Sequence, residues 1–437
     1  MSDSLHTIVI VGGGAGGLEL ATRLGHRLGK RKRARVVLVD SQLTHIWKPL
    51  YHEVASGSLD SAAHEVNFRA HAKRHHFEFS LGSLTDIDRE RKEVVLAPIL
   101  DEDGEVIVPE RRKSYDTLVI AVGSLANDFG TPGVKENCLF LDTLNKARSF
   151  HRLILNTFLS KEYQAQTNGQ QNFHIAIVGA GATGVELAAE LRRASRELPS
   201  YGLNHLQPDS VQITVIEAGP RILPALPERL SSAAMRELRR LHIEVKTNAR
   251  VTRVDEDRLV LDGGTELPAD IIVWAAGIKA PEFLKNLAGL ETNRANQLVV
   301  KDTLQTTQDP DIFAFGDCAS CPQPHSDRPV PPRAQAAHQQ AKTLTKTLSR
   351  RLQGLEPVPF RYRDHGSLIS FSHYGSIGNL MGNLAGGDFI IEGKLARLFY
   401  ISLYRMHQIA LHGFARGFLF WLTDKINRAI QPRLKLH

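Results

Sequence analysis

The chain is predicted to be of the α/β class, with one strand–turn–helix unit used twice and an amphipathic helical segment after them. Three observations carry the prediction. A β-branched apolar run, a glycine-rich turn and a helical pattern follow one another in "HTIVIVGGGAGGLELATRL" from His6, and again in "FHIAIVGAGATGVELAAEL" from Phe173. Each copy is followed by a second apolar strand that ends in an acid, "ARVVLVD" at Asp40 and "VQITVIE" at Glu217. Near the C-terminus, "LFYISLYRMHQIALHGFARGFLFWL" (398–422) is mostly apolar in a chain that otherwise reads as water-exposed outside and apolar inside.

Length and composition set the frame. A chain of 437 residues corresponds to two or three domains at about 150 residues each. A hydrophobic content of 42% with 23% charged residues fits an ordinary globular core. The net charge is +7, and it is concentrated. From 391 to 437 there are eight Lys/Arg against Glu392 and Asp424, a surplus of six. Three cysteines (138, 318, 321) are too few for a disulfide scaffold and fit a reducing compartment. The N-terminus enters a strand almost at once without a basic region or apolar leader, so no targeting peptide is expected.

Each glycine has a physical task. In G-x-G-x-x-G the first (Gly12, Gly179) permits the tight turn. The second (Gly14, Gly181) lets a pyrophosphate approach the backbone, and the third (Gly17, Gly184) lets the helix pack on the strand. The helix N-terminus then presents free N–H groups and a positive dipole end to phosphate. A single such motif is weak; two copies in strand–turn–helix context, each with its acid, predict two Rossmann-like dinucleotide-binding domains. Asp40 lies 23 residues past Gly17, near the usual ~20. Glu217 lies 33 past Gly184, which predicts an insertion around "SRELPSYGLNHLQPD". A carboxylate at 217 disfavours a 2′-phosphate and so favours NAD, although Arg221 leaves NADP open. "YDTLVIAVGS" (115–124) and "ADIIVWAAGI" (269–278) are strands with small ends, as where a sheet passes close to a dinucleotide. "DPDIFAFGDCA" (309–319) brings Asp317 after a further buried strand, where an acid can bind a flavin ribityl hydroxyl or simply close a turn.

With these pieces in place, the chain resembles the flavin disulfide reductase superfamily. "HIWKPLYHEVASGSLD", "VIEAGPRILPALP", "VWAAGIKAP", "DIFAFGDCASC" and "VPPRAQAAHQQ" narrow the likeness to the type II, single-subunit, non-proton-pumping NADH:quinone dehydrogenases of enterobacterial type. The resemblance runs from about residue 5 to the C-terminus. It implies FAD at Gly12, Gly14, Ala15, Gly16, Gly17, Asp40, Lys48, Ala121, Gly123 and Asp317. It implies NADH at Gly179, Gly181, Thr183, Gly184, Glu217, Ala276 and Gly277, with Glu186 beside it. It also implies a discontinuous FAD domain (about 1–150 and 290–385), an NADH domain inserted at about 151–289, and a membrane-associating segment from 386 to 437. A peripheral enzyme on the cytoplasmic face of a bacterial inner membrane, acting on ubiquinone or menaquinone, is what the family leads one to expect.

The residues bear on the electron acceptor directly. A disulfide reductase needs a cysteine pair against its flavin, and "SQLTHIWKPLYHEVA", where that pair usually falls, has none. Cys318 and Cys321 read as a packed thiol pair, with a metal or redox role as the alternative. Pro331 and Pro332 suit a helix start, and Gln335 and Gln339 then share a face at i, i+4. Amides hydrogen-bond quinone carbonyls without ionising, although surface glutamines on a plain helix read the same way. The resemblance assigns this stretch to the quinone pocket. Glu186 is a candidate for carrying the protons that quinol formation consumes, against a plain first-turn glutamate complementing the helix dipole. The competing function is a soluble flavoprotein reductase serving a protein or a small disulfide-like electrophile.

Other signals are discounted. "KRKRAR" (30–35) falls in a loop position and reads as solvated rather than as a nucleic-acid site. His71 and His75 stand at i, i+4 without an acid at metal-ligand spacing, which reads as a solvated helix face, and no metal is expected. As one helix the 398–422 stretch would reach ~37 Å, enough to cross ~30 Å of hydrocarbon. Arg405 and Arg416 lie well inside it, at a cost of about 2.5–3.5 kcal/mol each at a helix centre. Arg405, Gln408, His412 and Arg416 form one polar stripe opposite Leu403, Leu411, Phe414, Phe418 and Trp421, with Gly413 and Gly417 as breaks. Such a segment is expected to lie on a bilayer surface; docking on the protein's own core or on a second copy of the chain is the other use of its apolar side.

Overall fold

The computed structural model describes residues 5–169, 172–324, 326–372, 376–381, 388–392, 394–430 and 434. The chain forms two compact units. The first comprises Met1–Trp47, His64–Leu125 and Ile278–Asp364. The second comprises Lys48–Ala63, Ala126–Gly277 and His365–His437.

The first unit is built on a five-stranded sheet in the order Ile312–Ala314, Thr117–Ile120, Thr7–Val11, Arg35–Asp40, Glu78–Leu81. Every pair is parallel, with Val9 opposite Val37 and Val119 opposite Ile10. Parallel strands covered on both faces read as unbroken apolar runs, which is why "TIVIV" and "TLVI" lack alternation. Between the Glu78–Leu81 and Thr117–Ile120 strands the chain makes a three-stranded antiparallel sheet of Leu84–Asp88, Glu93–Leu96 and Arg111–Ser114.

The second unit repeats the plan. Its four-stranded parallel sheet runs Glu244–Lys246, Val211–Ile216, Phe173–Val178, Ile271–Trp274. Again an antiparallel trio, Val251–Val254, Arg258–Leu261 and Glu266–Pro268, is placed between the third and fourth strands in chain order. The repeat therefore extends beyond the glycine motif to the crossover that follows it. The insertion before Glu217 becomes two short helical turns, Leu198–Tyr201 and Pro208–Ser210. The buried carboxylate of Glu162 pins it by accepting from the N–H groups of Asn204, His205 and Leu206 at 2.6–3.1 Å.

The same unit ends in an antiparallel sheet of Ser367–Ser370, Ser376–Met381 and Asp388–Glu392, on which the Lys394–His412 helix packs. A second helix, Phe414–Ile430, follows. Gly413, at φ +79°, supplies the left-handed residue that ends the first helix, as the sequence leads one to expect. No described helix is long and apolar enough to cross a membrane.

The single polar stripe expected across this segment does not form, because the turn at Gly413 folds its two halves together. Arg405 pairs with Asp424 of the second helix and donates to Gln408, while Gln408 donates to the Tyr404 hydroxyl at 2.9 Å. The expected apolar face splits in the same way. Leu411 is buried, whereas Phe414, Phe418 and Trp421 are exposed. Leu403 lies outside the side chains described.

A second expectation fails. His71 and His75 are buried rather than solvated. They share a face with Phe68 and Ala72 on the Phe68–His75 helix, their rings lie 4.1 Å apart, and His75 Nδ1 meets His26 Nε2 at 2.6 Å. The basic run at 30–35 is exposed apart from Ala34. Among the described residues no cluster of His, Cys, Asp or Glu has the geometry of a metal site.

Candidate active site

Both glycine loops show the same three-dimensional logic. Gly12 and Gly179 sit at φ +104° and +105°, where only glycine is unstrained. A Cβ on Gly12 would stand 2.4 Å from the Ala121 carbonyl oxygen, and one on Gly179 would stand 2.7 Å from Ala276 Cα. The strands ending at Ala121 and Ala276 therefore press directly on the turns. The third glycines pack on the first: a Cβ on Gly17 would lie 1.8 Å from the Gly12 oxygen, and one on Gly184 would lie 2.0 Å from the Gly179 oxygen. The middle glycines differ. Around Gly14 and Gly181 nothing lies within 4 Å of a built Cβ. Each begins a helix, Ala15–Leu24 or Ala182–Glu197, with no side chain capping it. The first-turn N–H groups at these two open faces suit an anionic ligand. Thr183 is exposed in the first turn of the second helix. Gly16 is needed for packing instead, since a Cβ there would lie 2.6 Å from the Phe315 ring.

The two acids clasp their loops in matching fashion. Asp40 accepts from the Gly13 N–H at 2.6 Å and from Gln42 at 2.7 Å. Glu217 accepts from Ala180 at 3.0 Å and from Gly219 at 2.8 Å. Burial raises the Asp40 pKa against the opposing pull of these amides. Each carboxylate oxygen has two lone pairs, so a ribose hydroxyl can still donate to it. Arg221 turns onto its own loop, donating to the Leu226 and Pro224 carbonyls at 2.8 and 2.9 Å.

Asp317 follows the Gly316 turn, which sits at φ +74°. Its carboxylate accepts from the Ser124 hydroxyl at 2.8 Å, next to the small strand end that includes Gly123 at φ +73°. The buried Gln340 amide accepts from the Gly316 N–H at 2.9 Å and fixes the turn to the Ala334–Arg351 helix. The three cysteines are free and buried, and burial pushes the Cys318 thiol up to about 11 and Cys321 to about 12. Burial of this kind disfavours the thiolate that disulfide exchange uses.

Gln335 and Gln339 do share one face of the Ala334–Arg351 helix. Gln335 donates to Asp364 at 3.1 Å, and Asp364 also pairs with Arg333 at 3.0 Å. Gln339 donates to the Arg363 carbonyl at 2.8 Å and accepts from the Arg363 N–H at 3.0 Å. The helix face is thus clipped to the 363–364 segment.

Glu186 lies in the second unit, where the Ala182–Glu197 helix meets the short helix Tyr51–Ala55 and the Ser367–Ser370 strand. It is buried, and one oxygen accepts from the Ser370 N–H at 3.0 Å. The other lies 3.7 Å from Nδ1 of His52, itself buried. Desolvation raises the Glu186 carboxyl to about 8, with Glu53 and Glu190 adding to the shift against the Ser370 hydrogen bond. Desolvation lowers His52 to about 4. One helical turn on, Glu190 accepts from Ser58 at 2.5 Å and lies 3.6 Å from Arg193. Lys48 opens the 3₁₀ turn just before Tyr51, in the second unit, with an exposed side chain. Gly277 sits at φ +63° with the Phe129 ring 2.3 Å from its built Cβ.

Sequence reasoning did not single out Ser124, Gln340, His52 or Ser370. None stands in a pattern of its own. The one available signal for His52 was a histidine beside Glu53 in a segment too short to show periodicity.

Two dinucleotide folds, each with a glycine loop clasped by an acid, plus a Gly-Asp turn, define an oxidoreductase of the pyridine-nucleotide flavoenzyme class. A family model for pyridine nucleotide-disulphide oxidoreductases matches residues 6–341. The chain is 46% identical to the type II NADH:quinone oxidoreductase of Haemophilus influenzae over 99% of this chain and 100% of that one. It is 27% identical to a type II NADH:quinone oxidoreductase of Mycobacterium tuberculosis, over 97% and 88% of the two chains. The NDH2 structure of Plasmodium falciparum in complex with NADH superposes with a TM-score of 0.82 at 19% identity, covering 98% of this chain and 100% of that one, which speaks to the fold. The chain belongs to the type II NADH:quinone oxidoreductases.

Proposed function

We infer that the chain oxidises NADH and reduces a membrane quinone, with FAD held by the first unit and NADH by the second. The observation that carries this reading is the doubled loop, in which first and third glycines are closed by packing and the middle one is open. That geometry fits a dinucleotide pyrophosphate at Gly12–Gly17 and another at Gly179–Gly184, with Asp40 and Glu217 toward the adenosine riboses. Asp317, held by Ser124, suits a ribityl hydroxyl; Ala121 and Ala276 are small enough for each strand end to close on its glycine turn, and Gly123 leaves open space beside the first loop. FAD, when bound, would supply the two-electron redox chemistry between NADH and the quinone. The chain's own residues orient the reactants and handle the protons. Glu186 holds a proton at neutral pH in a sealed position, as a donor to quinol formation requires. Gln335 and Gln339 present amides whose remaining hydrogen-bonding capacity suits quinone carbonyls.

The reading is tested by mixing purified holoenzyme with NADH and a short-chain quinone and following NADH absorbance. Quinone-dependent oxidation is expected; a rate no higher than without quinone overturns it. A disulfide substrate in place of quinone separates the competing reductase function.

Coenzyme choice follows from Glu217. Its charge repels a 2′-phosphate, and Arg221 is committed to its own loop. Glu217→Gln is expected to raise the NADPH:NADH ratio of kcat/KM about tenfold, or about 1.4 kcal/mol. An unchanged ratio places the adenosine ribose elsewhere.

Membrane attachment is assigned to the outer surface of the C-terminal helix pair. Phe418, Leu419 and Leu422 are 52%, 58% and 40% exposed, and Lys425 stands 5.5 Å over the Trp421 ring. Aromatic and basic groups side by side suit a bilayer interface. Replacing Phe418, Leu419 and Leu422 together by Ser is expected to weaken sedimentation with anionic vesicles at least tenfold while the protein melts normally. Full retention on vesicles counts against this surface.

A further inference from the structure

We propose that His52 is a positioning residue for Glu186, with its Nδ1 fixing the site and orientation of the proton that the pair carries between them. This rests on the reading of Glu186 as a proton donor and extends it. Three features of the geometry support it. The Glu186 carboxyl is held from both ends: one oxygen accepts from the Ser370 backbone at 3.0 Å, and the other faces His52 Nδ1 at 3.7 Å. The backbone bond fixes which oxygen is the acceptor and leaves the oxygen opposite His52 to bear the proton. Second, both side chains are sealed, at 3% and 9% exposure, so neither exchanges protons freely with bulk water. Third, His52 Nε2 is buried without a hydrogen-bond partner among the described residues. A histidine kept only for packing has no reason to carry an unsatisfied polar atom, which costs about 1–3 kcal/mol.

The surroundings explain why a neutral pair is favoured over an ion pair. Glu53 on the His52 helix and Glu190 on the Glu186 helix both oppose a second negative charge at Glu186. Arg193 is engaged by Glu190 at 3.6 Å. Arg148, on the Leu144–Asn168 helix that packs on the His52 helix, donates to Ser61 at 2.8 Å. Tyr404, from the C-terminal helix pair, has its hydroxyl bonded by Gln408. Among the described residues no lysine or arginine pairs with Glu186. A neutral imidazole is then the fitting neighbour, since its Nδ1 accepts from the acid in one tautomer and donates to the anion in the other.

The test uses the side-chain geometry of the proposal. Asparagine places a polar atom where histidine has Nδ1, but leaves the rest of the ring's volume empty. Phenylalanine fills the volume and removes the polar atom. The pH dependence of quinone turnover is measured on holoenzyme for wild type, His52→Asn, His52→Phe and Glu186→Gln. His52→Asn is expected to keep the midpoint of the alkaline limb near that of wild type. His52→Phe is expected to move it up by about one pH unit, a tenfold change in proton affinity. A packing role predicts the reverse order, with Phe tolerated and Asn disruptive, and that result overturns the proposal. So do equal midpoints in all His52 variants. If His52→Phe does not fold, His52→Leu takes its place with the same expected ordering against Asn. Should Glu186→Gln itself keep the alkaline limb, the Glu186 reading falls; a flat Glu186→Gln profile with unmoved His52 variants removes His52 alone.

Discussion

Glu186→Gln is expected to lower quinone turnover by about 10²-fold, the lower end of what a positioned acid contributes. It should also abolish a falling limb centred near pH 8. The sign follows from the site. Burial raises the carboxyl to about 8, so the group is protonated and able to donate below that pH and spent above it. Gln keeps the shape and the Ser370 hydrogen bond but has no proton to give. Its effect on stability runs the other way. A carboxyl whose folded pKa lies above its unfolded value contributes stability that is fully present below about 4.5 and is lost as pH rises through about 8. Gln never ionises, so at pH 9 the variant should melt no lower than wild type. Loss of turnover without loss of stability at pH 9 separates proton transfer from misfolding. Full turnover with an unchanged pH profile removes Glu186 from the reaction.

Much of this arrangement was legible in the sequence, for identifiable reasons. The parallel strands announce themselves because burial on both faces demands unbroken apolar runs, and the glycine loops because turn, approach and packing each exclude a side chain. Asp40 and Glu217 were legible because a strand-end acid stands at a fixed distance from its loop. What stayed hidden depends on contacts between distant segments. Ser124 meets Asp317 across 193 positions, and Ser370 meets Glu186 across 184. The histidines at 71 and 75 were misread because a solvated helix face and a buried polar one share a spacing. The C-terminal stripe was misread because helical periodicity was carried past the break at Gly413, where the chain turns back, while Gly417 stays inside the second helix. The pairing of Arg405 with Asp424 exists only after that turn.

The glycine loops give the other large effect, and a contrast inside one motif tests it. Gly17→Ala is expected to yield protein with little bound flavin and a loss of stability of about 2–3 kcal/mol or more. The added methyl has to occupy space 1.8 Å from the Gly12 carbonyl oxygen, which is backbone of a turn itself pressed against Ala121. The gain in helix propensity from Gly to Ala, about 1 kcal/mol, does not offset such an overlap. Gly14→Ala is the counterpart. Gly14 has φ −62° and ψ −175°, open to any residue, and its built Cβ meets nothing within 4 Å. The apoprotein should therefore melt within a few degrees of wild type. Its methyl instead projects over the open face assigned to the pyrophosphate, so flavin affinity should fall by at least tenfold. Flavin content of the purified protein and its thermal midpoint, read together, separate the two. In the second unit the same pair, Gly184→Ala and Gly181→Ala, should spare flavin content and raise the KM for NADH. Tight flavin binding by Gly14→Ala would mean that the open face is not where the phosphates lie, and the assignment of the two dinucleotides to the two loops would fail with it.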